Sequence, residues 1–260
     1  MSVPALKASG LQKSFGALKV TDDVGLRLEA GSRTALIGPN GAGKTTLVGL
    51  LSGTIRPDAG RISLHGRDIT RDALAFRVKQ GLVRTFQVSS LFAKLTVLEN
   101  IFLAVSENEA ASHDLWRPAG RRRNLVERAE GILERLHLTD TRHRRVTEIP
   151  YGEQRLLEIA IALALEPKVL LLDEPAAGIP TDEVGVLLDA VAGLPSDIAI
   201  LMIEHDMHVV RRFATEVYVL VHGRVLTVGP PAEVMASPEV RAVYLGASGQ
   251  SRFAGEAHGD

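Results

Sequence analysis

The sequence predicts an α/β fold built on a parallel sheet, with a helical segment inserted in its middle. Three observations predict it. Apolar runs of strand length alternate with helical patterns along the chain. A glycine-rich loop, 38–46, directly follows the short apolar run Arg33–Ile37. A second buried-strand pattern, Val169–Leu172, ends in the acidic pair Asp173-Glu174.

The elements follow in order. Leu6–Phe15 and Val24–Leu28 read as strands bounded by glycine, and Arg33–Ile37 as a short buried strand. A helix starts at the loop 38–46 and ends near Gly53. Arg61–Leu64 is a strand closed by the turn His65-Gly66. Between Ser89 and about Leu165 the pattern is helical, with Arg, Glu and Leu at helical spacing over Arg121–Leu138. Strands return at Val169–Leu172, Ile198–Ile203 and Val217–Val221, and the last turns through His222-Gly223 into Arg224–Val228. Ser237-Pro238 reads as an N-cap with proline at the first helical position. The residues after Gly246 are short of apolar side chains and read as a frayed tail. There is no internal repeat. A single domain over 1–260 is expected, with a core from 1–88 and 166–246, a helical subdomain over 89–165 and a flexible tail at 247–260.

Bulk composition narrows the function classes. The chain has 260 residues, net charge −1, 45% hydrophobic and 23% charged residues. It therefore lacks the basic field expected of a nucleic-acid binder. It contains no cysteine, which excludes disulfides and thiolate metal sites. The N-terminus lacks the pattern of a signal peptide, and no apolar run approaches the roughly 18 residues needed to span a bilayer. A soluble protein is expected, reaching any membrane through a partner.

The loop Gly38, Pro39, Asn40, Gly41, Ala42, Gly43, Lys44, Thr45, Thr46 satisfies G-x-x-x-x-G-K-[ST] and follows a strand. Glycines let successive N–H groups turn inward on phosphate oxygens, and the helix N-terminus adds positive potential. Lys44 reaches the β- and γ-phosphates, and the Thr45 hydroxyl is placed for Mg²⁺. Asp173 emerges from the end of its strand to hold the same metal shell. Glu174 follows directly and is placed to accept a proton from an attacking water.

These motifs, taken with Gln87 in RTFQ, YGEQR at 151–155 and His205 in IEHD, fall in the order of an ATP-binding-cassette (ABC) ATPase, which the chain resembles over nearly its whole length. The resemblance implies a RecA-like P-loop NTPase core with an N-terminal antiparallel β subdomain and an inserted α-helical signature subdomain. It implies ATP and Mg²⁺ as cofactors, Glu174 as catalytic base, His205 at the γ-phosphate and Phe15 stacked on adenine. It also implies that Gln87 links metal and water to the helical subdomain, with Val88–Leu95 in the coupling surface. Tyr151, Gly152, Glu153 and Gln154 would contact ATP held by an opposing subunit.

Finer resemblance, in 84–101, 151–164, 173–179 and 221–246, is to the ATPases of branched-chain amino acid importers. Relatives that move urea, amides, aromatic acids or lipopolysaccharide share much of this pattern. Soluble ABC ATPases and P-loop kinases fit it less well. The expected partners are integral membrane permease subunits, a second ATPase subunit and, indirectly, a periplasmic or extracellular binding protein. The expected place is the cytoplasmic face of the inner or plasma membrane, and no nucleic acid is expected.

The signature departs from the family's usual Leu-Ser-Gly-Gly-Gln. Pro150 stands where serine supplies a hydroxyl, and Glu153 places a carboxylate near phosphate. A lost hydrogen bond to a charged group is worth about 1.5–3 kcal/mol. The chain's own Lys44, Gln87, Asp173, Glu174 and His205 keep the family pattern, so a heterodimer of sibling ATPases with unequal sites is expected, with a homodimer as the alternative. Pro180 stands where the family commonly has Asp or Asn. The arginines at 121–123 and 142–145 read as a solvated helical face balanced by Glu127, Glu130 and Glu134.

Overall fold

The computed structural model describes residues 3–85, 91–110 and 120–247. The first half comprises β1 (Leu6–Phe15), β2 (Leu18–Leu28), β3 (Arg33–Ile37), α1 (Lys44–Ser52), β4 (Ala59–Leu64), β5 (Arg67–Asp68), α2 (Leu74–Lys79) and β6 (Leu82–Arg84). Helices α3 (Val97–Ala110), α4 (Gly120–Arg135) and α5 (Tyr151–Ala164) come next. The last part comprises β7 (Val169–Asp173), α6 (Val184–Ala192), β8 (Ala199–Ile203), α7 (Met207–Phe213), β9 (Glu216–Val221), β10 (Arg224–Gly229), α8 (Pro231–Ala236) and α9 (Pro238–Ala247).

Two sheets result. The larger has the order β10-β9-β3-β8-β7-β6, parallel except for the antiparallel edge pair β9–β10. The smaller is antiparallel, in the order β2-β1-β4-β5. Every residue of β7 and β8 is buried, which is why these strands read as unbroken apolar runs.

The pleat divides those runs between two cores. Leu170, Leu172, Ile200 and Met202 face one way and pack with Ile101, Leu133, Leu157 and Leu163 of the helical segment. Val169, Leu171, Leu201 and Ile203 face the other way, onto Leu47 and Leu50 of α1 and the inner face of the antiparallel sheet. Alternation with period 2 along a strand dictates this split. A third core joins Ala35 and Ile37 to Val210, Val234 and Val240 of the last helices.

Some elements differ from the sequence reading. Strand β2 starts at Leu18, not Val24, because Leu18, Lys19 and Thr21 pair with β1 ahead of a register shift at Asp22-Asp23, where Asp23 has φ 58. A polar stretch within a strand carries no apolar period to detect. Helix α2 and strand β6 are too short to show one. The turn at His65-Gly66 is present, both residues having positive φ. Helix α9 extends to Ala247, and the remainder of the tail lies outside the described residues.

Candidate functional site

The loop 38–43 joins β3 to α1 in a conformation that side chains would obstruct. A Cβ on Gly38 would stand 2.2 Å from the Leu220 carbonyl oxygen. Gly43, at φ +100, would place one 2.5 Å from the Val20 carbonyl oxygen. Gly43 is also the N-cap of α1 and supplies no side-chain cap, so the first-turn N–H groups face the loop. Lys44 Nζ spans the loop, donating to Gly38 O at 2.7 Å and Pro39 O at 3.1 Å. Outside it, the turn at 222–223 acts as a buttress: Gly223 N donates to Ala42 O at 2.9 Å. Asn40 and Thr45 are exposed and Thr46 half-buried.

The acidic pair stands at the same edge of the sheet. Asp173 is in register with Ile203, and Ile203 with Leu36, two residues before the loop. Two strand spacings place Asp173 roughly 10 Å across the sheet from Leu36. Its side chain is 4% exposed and accepts from Arg84 Nη2 at 2.6 Å. Glu174 leaves the strand at φ 48, an uncommon backbone for a residue with a side chain. Its N–H donates to Ile203 O at 3.0 Å, and its Oε1 stands 4.0 Å from His205 Nδ1. Beneath lies Glu204, 1% exposed, whose carboxylate accepts from Ala176 N and His205 N, each at 3.1 Å. Burial pushes the Glu204 carboxyl above the usual carboxylate range, and the hydrogen bonds from Ala176 and His205 partly offset this.

Phe15 is half-exposed at the end of β1, with the Lys13 ammonium 5.6 Å from its ring centroid. Lys13 is itself held by Asp58 at 2.6 Å. Gln87 lies outside the described residues.

The signature residues form the start of α5, with Pro150 as N-cap. The Tyr151 ring packs toward Gly178: a Cβ there would be 3.1 Å from Tyr Cε1. A Cβ on Gly152 would meet Glu183 Oε2 at 2.8 Å. This segment is therefore tied to the chain that follows Glu174. Two of its side chains have a defined setting within the chain. Gln154 Nε2 is committed to its own chain, donating to Ile149 O at 3.1 Å. One oxygen of Glu153 is buried, with no partner among the described residues. The arginine face is as expected where described: Arg123 pairs with Glu127 at 3.0 Å, one helical turn on.

Sequence reasoning passed over Arg84 and Glu204. For Glu204 the signal was a charge at the end of a buried strand pattern beside His205; Arg84 ends a strand of three residues, too short to show one.

These residues fit a nucleotide with its metal. An uncapped helix N-terminus beneath a loop without side-chain bulk suits phosphate, and the Asp173 carboxylate and Thr45 hydroxyl are the hard oxygen donors Mg²⁺ prefers. Among the described residues no group of three His, Asp or Glu side chains gathers that could hold a metal ion by itself.

The chain belongs to the ABC transporter family, whose profile matches residues 21–177. It is an ATP-binding, ATP-hydrolysing cassette of the kind that energises a membrane permease. A second profile, described as branched-chain amino acid ATP-binding cassette transporter, matches residues 224–249. The chain is 38% identical over 253 residues to the high-affinity branched-chain amino acid transport ATP-binding protein LivG of Salmonella typhimurium, covering 95% of this chain and 99% of that one. Identity and coverage are the same against BraF of Pseudomonas aeruginosa, which carries the same description. Among solved structures, the ADP conformation of MJ1267, an ATP-binding cassette of an ABC transporter, superposes with a TM-score of 0.83 at 31% identity, covering 94% of this chain and 100% of that one. No described helix is long and apolar enough to cross a membrane.

Proposed function

We propose that this chain is the ATPase subunit of an importer for branched-chain or related amino acids, docked on its permease at the cytoplasmic face of the membrane. The observation that carries the catalytic part is the single row of strand ends that presents the loop 38–46, Asp173, Glu174 and His205 together. The cargo reading is supported by the C-terminal profile match and by LivG and BraF.

In this reading the loop N–H groups and Lys44 bind the phosphates, and Phe15 takes one face of adenine. Thr45, Asp173 and Gln87 would hold Mg²⁺, which when bound neutralises charge on the phosphoryl oxygens. Glu174 accepts the proton of the attacking water, and His205 orients the terminal phosphate. Residues 1–88 and 166–246 act as the nucleotide-binding core, and 89–165 as the arm that meets the permease. Two subunits close on two ATPs, each bound between one loop and the facing residues 150–154. Closure drives the permease towards one state, and hydrolysis resets it. Pro150 makes this chain the weaker donor of that contact, so its partner is a sibling ATPase.

The experiment is reconstitution with a permease and a sibling ATPase in vesicles loaded with ATP. Stimulation of turnover by a leucine-loaded binding protein is expected. Stimulation by urea or an aromatic acid alone would overturn the cargo reading. Brisk turnover of the purified chain without a sibling would overturn the unequal pair.

A further inference from the structure

Arg84 ends β6, the edge strand beside β7, and its side chain lies along the end of β7. Its Nη2 donates to Asp173 Oδ2 at 2.6 Å, with the two side chains 12% and 4% exposed. Arginine commonly holds a carboxylate with two parallel bonds. Here Nη2–Oδ2 carries the pair, and the buried Nε has no partner among the described residues.

We propose that Arg84 is an internal counter-ion that competes with Mg²⁺ for Asp173, so that metal–nucleotide binding exchanges one cation for another. The proposal rests on the reading of Asp173 as a metal ligand. A carboxylate this buried needs a positive partner when no metal is near. When the metal arrives, guanidinium and divalent ion repel each other across one carboxylate, and a pair made through one donor is the easier to part. Arg84 is thus a positioning residue: it keeps Asp173 neutralised and in place, and raises the Mg²⁺ concentration needed to claim it. An adjacent unit charge shifts a carboxylate's affinity for a proton by about one to three powers of ten, and the same competition acts on other cations.

The test is a Mg²⁺ titration of fluorescent ADP binding to the full chain. Arg84→Met should lower the half-saturating Mg²⁺ concentration by about tenfold or more, while affinity in EDTA does not improve. Arg84→Lys, which keeps the charge, should stay close to the wild type. If Arg84→Met does not fold, Arg84→Gln carries the same expectation, since it retains a hydrogen bond without the charge. An unchanged or raised half-saturation in the neutral variants, or an equal drop in Arg84→Lys, overturns the proposal. A wild type that binds ADP in a Mg²⁺-dependent way, beside neutral Arg84 variants with the same dependence, overturns this inference alone. A wild type that binds no nucleotide overturns the reading of the whole site.

Discussion

Glu204, almost wholly buried, accepts a hydrogen bond from the Ala176 backbone N–H at 3.1 Å, tying the end of β8 to the loop that follows Glu174. Its other oxygen accepts from His205 N at 3.1 Å. One carboxylate therefore fixes both backbones that carry the proposed base and its neighbouring histidine. Glu204→Gln would turn a donor toward one of these N–H groups, and about 1–3 kcal/mol of stability should be lost. Turnover should fall with it.

The same residue predicts a pH effect. Burial raises the folded-state pKa of Glu204 above its unfolded value, so the folded chain holds this proton more tightly. Its contribution to stability is full below the ordinary glutamate pKa and is lost as pH rises through the folded value. The stability difference, wild type minus Glu204→Gln, should therefore shrink from about pH 4 towards pH 7. Urea unfolding of both proteins across that range measures it, and a difference that grows with pH would contradict the assigned burial effect.

Glu174→Gln should retain ATP binding and ATP-dependent dimerisation while turnover is abolished. The amide cannot take the proton, yet it preserves the backbone bond from Glu174 N to Ile203 O. Equilibrium binding and single-turnover hydrolysis separate the two, and retained hydrolysis would remove Glu174 as base.

Pro150 caps α5 without a side-chain hydrogen bond. Pro150→Ser should supply a capping hydroxyl worth about 1 kcal/mol to the helix. If the hydroxyl also reaches a facing phosphate, dimerisation in ATP should tighten about tenfold or more, with no change in ADP. Sedimentation in each nucleotide tells the cap from the phosphate contact.

Arg77, 1% exposed, donates through Nη1 to Leu50 O at 2.7 Å and Leu51 O at 2.6 Å, and through Nη2 to Thr70 O at 3.1 Å. It satisfies the last carbonyls of the helix that begins at Lys44, where a cation also complements the helix dipole. Arg77→Met leaves those carbonyls without partners and should destabilise the chain by about 3 kcal/mol or more. Thermal unfolding without nucleotide measures the loss.

The legible parts of the chain were those with strong local pattern. Arg33–Ile37, the loop 38–46 and the apolar run at Val169 each carry their chemistry in adjacent residues. Strand β2 was hidden because its polar residues are held by pairing, and α2 by its six-residue length. The ion pair Arg84–Asp173 spans 89 positions and the bond Ala176–Glu204 spans 28, so no local period reports either.

The sequence by itself determined the chemistry available here: a loop whose glycines admit phosphate, a lysine and a hydroxyl behind it, and an acidic pair after a buried strand. Those functions depend on residue type at short spacing, which sequence records directly. The tertiary structure decided what governs them. It set Arg84 against Asp173, placed Glu204 beneath Glu174 and His205, and braced Ala42 with Gly223. Each is a contact between strands or turns distant along the chain. Strand order in the sheet creates them, and strand order is a property of packing, not of any one segment.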